Sequence, residues 1–244
     1  MRIPFFFFLT ICYTGLEVQA QQTIVARIHY YVDFTAAIGN QEGTAAFSYV
    51  RNWRLGKTKK LELGFELRLT SYLGTNKEYY TAPASLARSS TVPFLGVFSG
   101  HEYQNVDTLT VQRPFTNSLN LTANVGYRFG KKWYAGLNID LMGFTVGRTT
   151  RSMLMSNGST INEPVTKASS WNVLLTGDLD YGSLNSEFFV KYNIAPRWNL
   201  KAIYVFFFNE YKTKSIHQTA PDGTEVYRFR NKANLLGLGA SYDL

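Results

Sequence analysis

The chain carries one cysteine, Cys12, in a segment that reads as a removable leader. The mature product is then expected to hold none, which excludes disulfides and thiolate metal sites. Three histidines scattered over 244 residues argue against a metal centre, and no cofactor is expected. Charged residues are only 17% against 45% hydrophobic, a balance that excludes disorder driven by charge. Beyond the N-terminus no apolar run approaches the roughly 20 residues that a membrane helix needs. If the chain lives in a membrane it must form a closed barrel, because hydrocarbon offers unpaired backbone groups nothing to bond.

The N-terminus supplies Arg2, an apolar run from Ile3 to Cys12 with four consecutive Phe, and a small-residue ending at Ala20. This pattern predicts a signal peptide over 1–20, cleaved near Ala20, and a mature domain over 21–244. Acylation of Cys12 is set aside, because Ile11 is bulky where a lipoprotein signal requires a small residue. The net charge is +8. The basic residues are spread between apolar segments rather than clustered, so nucleic acid is not the expected partner. For an exported protein the expected partners are anionic outer-membrane lipid and lipopolysaccharide.

What is abundant is aromatic: 16 Tyr and 18 Phe. The dominant periodicity is two, which sends alternate side chains to opposite faces of a strand. Leu61, Leu63, Phe65, Leu67 and Leu69 alternate with Glu62, Gly64, Glu66 and Arg68. The same alternation runs through 24–34, 119–129 and 133–141, and more weakly through 45–55, 184–194, 200–208 and 227–244. Eight antiparallel strands are expected, joined up and down into a transmembrane β-barrel. Three connections are tight and carry Gly56, Gly130 or Ala195–Pro196. Long polar segments near 75–116, 148–182 and 213–226 are expected as loops on the opposite side. Trp53, Trp133 and Trp198 each adjoin a tight turn, so threading the chain places all three in an aromatic girdle at one end.

The C-terminus ends with Gly237, Gly239, Tyr242 and Leu244. The spacing of Gly239, Tyr242 and Leu244 resembles the terminal signal read by the barrel-assembly machinery, and that resemblance implies the machinery as a partner. Gly237 stands where a polar residue is usual, and Leu244 where Phe is. With the leader, strand number and unequal loops, the chain resembles small outer-membrane barrels of OmpA or OmpX size. Its Tyr, Phe and Asn content is similar to Bacteroidetes-type outer-membrane β-barrel proteins. The resemblance implies a bacterial outer-membrane fold and no particular activity.

An eight-stranded barrel is just wide enough for side chains to fill it. The face opposite the apolar stripe carries Arg27, His29, Asp33, Glu62, Glu66, Arg68, Asn124, Arg128, Asn138, Asp140, Lys191 and Lys201. Charges enclosed together must pair. Arg27, Asp33, Glu62, Glu66, Arg68, Arg128, Asp140 and Lys191 are therefore expected as a charge network that plugs the lumen. The expected role is structural or surface-interacting. A narrow channel for small or hydrophobic solutes is the alternative, and a lipid hydrolase or acyltransferase the third. Ser99, His101 and Glu102 cluster in one long loop, but no nucleophile elbow is present, so no catalytic residue is assigned. Arg88, Arg113, Arg148, Arg151, Lys212, Lys214, Arg228 and Arg230 are placed at the outer rim, where they can meet phosphates or a protein or glycan ligand.

Overall fold

The computed structural model describes residues 27–82, 106–156, 158–175, 180–219, 223 and 225–244. The expected leader, its cleavage point at Ala20, Arg88, and the Ser99, His101 and Glu102 cluster lie outside them. The described residues form fifteen strands rather than eight. Eight are long: β1 (Arg27–Gly39), β2 (Glu42–Leu55), β3 (Leu61–Gly74), β6 (Phe115–Phe129), β7 (Trp133–Gly147), β11 (Leu184–Ala195), β12 (Trp198–Thr213) and β15 (Arg228–Asp243). Seven are short: β4 (Lys77–Thr81), β5 (Thr108–Val111), β8 (Thr150–Ser156), β9 (Ser159–Ala168), β10 (Trp171–Val173), β13 (Gln218–Thr219) and β14 (Glu225–Val226).

The long strands pair antiparallel in the order β1, β2, β3, β6, β7, β11, β12, β15, and β15 pairs again with β1. Each therefore has two long neighbours, and the ladders return to their start. The β1–β2 connection is Asn40 and Gln41, with Gln41 at φ 58°. Such left-handed geometry suits the twist of a two-residue hairpin. Gly56 and Gly130, at φ 75° and 65°, supply the same hand at the turns after β2 and β6.

The alternation expected from the sequence is present, with the apolar face outward. Leu63, Phe65 and Leu67 are 41, 48 and 52% exposed, whereas Glu62, Glu66 and Arg68 are 0, 2 and 1% exposed. Phe34, Phe47, Phe144, Phe188, Leu200 and Leu238 continue the outward face around the cycle. Gly126 and Gly136 are register partners, and their missing side chains make room inside for the rings of Tyr134 and Phe189.

The segments expected as loops are the main correction. β4, β5, β8 and β9 extend the sheet beyond the long strands. β15 pairs with β4, β4 with β5, β5 with β8, β8 with β9, β9 with β12, and β12 with β15. This second, six-strand cycle shares only β12 and β15 with the first. Tyr79, Leu109, Val111, Leu154, Tyr211 and Phe229 form its fully buried core. These strands escape notice in the sequence because alternation over four or five residues is too short to stand out. They are held by neighbours distant in the chain.

Candidate functional site: the paired interior and the junction between the two cycles

Near the tight-turn end, Glu62 accepts from Asn52 and gathers three basic side chains. Its Oε1 accepts from Arg54 Nε at 2.9 Å and Arg128 Nε at 2.7 Å, and its Oε2 lies 3.1 Å from His29 Nδ1. His29 reaches Asp243 on the last strand at 3.2 Å. Further along, Lys191 and Lys201 both donate to Asp33, at 2.9 and 2.6 Å. Lys201 also lies 2.6 Å from Glu187. Arg68 contacts Glu66 at 2.6 Å, Asp140 at 3.5 Å and Glu187 at 3.7 Å. Asn52 donates to Asn124, Asn124 to Asn138, and Asn138 to Glu187, so a polar chain crosses the interior from β2 to β11.

Seven of the eight expected network residues thus face the interior, in two groups. Glu62 and Arg128 lie at the mouth. Asp33, Glu66, Arg68, Asp140 and Lys191 lie deeper. The Arg27 side chain is outside the described residues. Glu187 was missed, although it shares a strand face with Lys191 by simple counting. Above the charges, Tyr72 stacks on Phe207 with ring centroids 5.0 Å apart, joining β3 to β12 across the interior. Tyr211 reaches the backbone of Phe115 on β6.

Trp53, Trp133 and Trp198 stand at the tight-turn end on the outward face. Trp133 packs on Tyr192 and Trp198 on Tyr242, with centroids 4.7 and 4.9 Å apart. In the last strand Gly239 pairs with Thr35 and Lys201, Tyr242 with Val32 and Trp198, and Leu244 donates its N–H to the Tyr30 carbonyl.

The expected outer-rim cations divide. Arg113, Arg148, Arg151 and Lys214 are exposed. Arg230 is buried and Arg228 half-buried, and both pair with the buried Glu210, at 3.6 and 2.7 Å. Arg230 is therefore not the rim cation its sequence position suggests. Its carboxylate partner lies in register on β12, a pairing that needs the strand order to be seen. On β9, a strand of the six-strand cycle, the buried Glu163 receives the backbone N–H groups of Val165, Lys214, Ser215 and Ile216. Burial pushes its carboxyl up, but these four donors hold it below the usual carboxylate range.

No protein-family model matches the chain, and no curated protein matches it. The solved structures similar to the chain include three small barrels. Neisserial surface protein A has 12% identity, with 88% of this chain and 94% of that chain aligned and a TM-score of 0.32. A de novo designed transmembrane β-barrel has 8% identity, with 89% and 94% aligned and a TM-score of 0.33. Ail, the attachment invasion locus protein of Yersinia pestis, solved with the heparin analogue sucrose octasulfate, has 10% identity, with 89% and 98% aligned and a TM-score of 0.36.

Proposed function

We propose that the eight-strand cycle is a transmembrane β-barrel of the bacterial outer membrane, with a closed lumen and a role in surface interaction. The observation that carries this reading is the reversed alternation of β3. Leucine and phenylalanine face outward in an unbroken belt while glutamate and arginine are enclosed. In water such a belt far exceeds the apolar patches that soluble monomers tolerate. Against acyl chains it is the expected outer surface of a barrel. Trp53, Trp133 and Trp198 then mark the interface on the tight-turn side, which is the periplasmic side, and the six-strand cycle stands outside the cell.

The channel alternative is weighed down by the interior itself. Asp33, Glu66, Arg68, Glu187, Lys191 and Lys201 pair across it, and the Tyr72–Phe207 stack crosses it above them. A conducting path requires that these groups part, leaving charges unpaired in an enclosed space. The surface-interaction role rests on the outer extension, where a folded platform presents Arg151, Lys167 and Lys214 to solvent. We infer binding rather than catalysis. A protein or glycan ligand and lipopolysaccharide are the partner classes that suit a basic outer surface.

The test is direct. The purified protein should insert into lipid vesicles, and its gel mobility should shift only after boiling. Planar bilayers containing it should stay silent at all voltages. Failure to insert removes the membrane reading, and steady conductance removes the closed lumen. Lipid A and phospholipid products should be identical before and after His101→Ala. A change there reinstates the lipid-modifying enzyme.

A further inference from the structure

Where β11 begins at Leu184, its neighbours β7 and β12 continue past it, and β10 with residues 180–183 fills the wedge. Between this filling and β9 lies a cleft of about 800 Å³ lined by Lys167, Lys212, Lys214, Trp171, Leu175 and Tyr181, among others. Resting on the membrane reading above, we propose that this cleft binds the phosphate-bearing headgroup of a lipid in the outer leaflet.

The first argument is charge. Lys167 and Lys212 are direct partners in the β9–β12 ladder. Like charges placed opposite one another on a sheet repel and destabilise the pair. Among the described residues neither ammonium, nor that of Lys214, has a carboxylate within ion-pair distance. The neighbouring acids are engaged elsewhere. Glu210 holds Arg228 and Arg230, Glu163 takes backbone N–H groups, and Asp180 accepts the N–H of Leu175. An anion seated between the lysines turns their repulsion into attraction.

The second argument is that the cleft is built. Lys212 Nζ donates to the Tyr181 hydroxyl at 2.6 Å and lies 4.7 Å from the ring centre. The Arg228 guanidinium stands over the same ring at 3.7 Å. Tyr181 is thereby fixed, and with it one ammonium. Such preorganisation reduces the ordering cost of binding.

The third argument selects a lipid over a free ion. Trp171 at the edge of the cleft is 70% exposed and pairs in register with the outward-facing Phe144 of β7. Met142 and Val146 flank Phe144 on the same outward face. The cleft therefore opens onto the upper edge of the apolar belt. A lipid whose chains lie along β7 would bring its phosphate to the lysines, with the indole at headgroup depth.

The experiment uses the full mature protein refolded in a zwitterionic detergent, with bound lipid counted by native mass spectrometry. Bis-phosphorylated lipid A, the same lipid without phosphates, and inorganic phosphate are the three probes. Phosphorylated lipid A should bind about tenfold or more tightly than the dephosphorylated form, as expected for loss of charge-assisted hydrogen bonds. Lys167→Gln with Lys214→Gln should remove that preference while leaving heat modifiability intact. Trp171→Ala should weaken both lipids alike. Equal binding of the two lipids, or a preference that survives the lysine substitutions, overturns the inference and leaves the barrel reading standing. Inorganic phosphate competing at equal concentration with lipid A makes the site one for the free ion and overturns the lipid assignment. Protein that never inserts into vesicles overturns the barrel reading itself.

Discussion

The two cycles of strands use one rule in opposite senses. In the lower cycle the outward positions of β3 are Leu61, Leu63, Phe65, Leu67 and Leu69, and the inward ones between them are Glu62, Gly64, Glu66 and Arg68. In the upper cycle Tyr79, Leu109, Val111, Leu154 and Phe229 point inward, and the outward face is mixed, with Glu78, Arg151, Asn162 and Lys167 beside Tyr80, Met153 and Met155. β12 passes through both. Its outward Leu200, Tyr204 and Phe206 are exposed, yet from Phe207 to Tyr211 every residue is buried. One chain therefore meets two environments along a single strand. On the membrane reading proposed above, that switch is where lipid gives way to water, because burial of apolar surface follows whatever solvent lies outside.

Interior substitution should break the lower cycle most severely. Arg68→Met leaves Glu66, Asp140 and Glu187 without their shared cation, and should cost about 3–5 kcal/mol. Urea unfolding in vesicles measures it, and no loss would mean the enclosed charges are not coupled. In the upper cycle Leu154→Ala should cost about 2–5 kcal/mol by leaving a cavity. Here the loss should be local: the β8–β9 hairpin becomes sensitive to protease while heat modifiability of the lower cycle persists.

Substitutions on the outer surface sharpen the contrast. Phe65→Lys should destabilise the protein by about 2–4 kcal/mol in vesicles if Phe65 lies near mid-bilayer. Thr110→Lys, on the upper cycle, should change stability by no more than about 0.5 kcal/mol. Equal effects at the two positions would erase the distinction between the cycles. The smallest expected effect is on pH. Because Glu163 is held below its ordinary range, its contribution is complete above the unfolded-state value and fades as pH falls through the lower, folded-state value. Hydrogen exchange at Ser215 and Ile216 should accelerate in that acid window, and Glu163→Gln should abolish the transition.

Much of the lower cycle was legible in the sequence because its strands are long and one face is uniformly apolar. Nine alternating positions in Leu61–Leu69 leave little ambiguity. Burial of Asp33, Glu66, Arg68, Asp140 and Lys191 followed from the same count. Their partners did not, since Lys191 meets Asp33 from 158 positions away. The upper cycle was illegible for a physical reason. Strands such as Thr108–Val111 are too short to show a period, and only their pairing across the chain makes them strands. Arg230 was misplaced for the same cause: a cation in a polar stretch looks solvated until Glu210 is set beside it. Lys167 was overlooked because its significance depends on Lys212 standing opposite.

The seam between β1 and β15 joins opposite ends of the polypeptide, with His29 touching Asp243 across 214 positions. Nothing in the lower ring can shut before the last strand has been synthesised. β15 is also a wall of the upper ring, so the outer platform waits on the same event. β9 can pair with β12 beforehand, but β4 has no partner on its open side until then. Assembly of the upper ring is thereby tied to completion of the lower one, and a chain truncated before Arg228 should be left with both rings open.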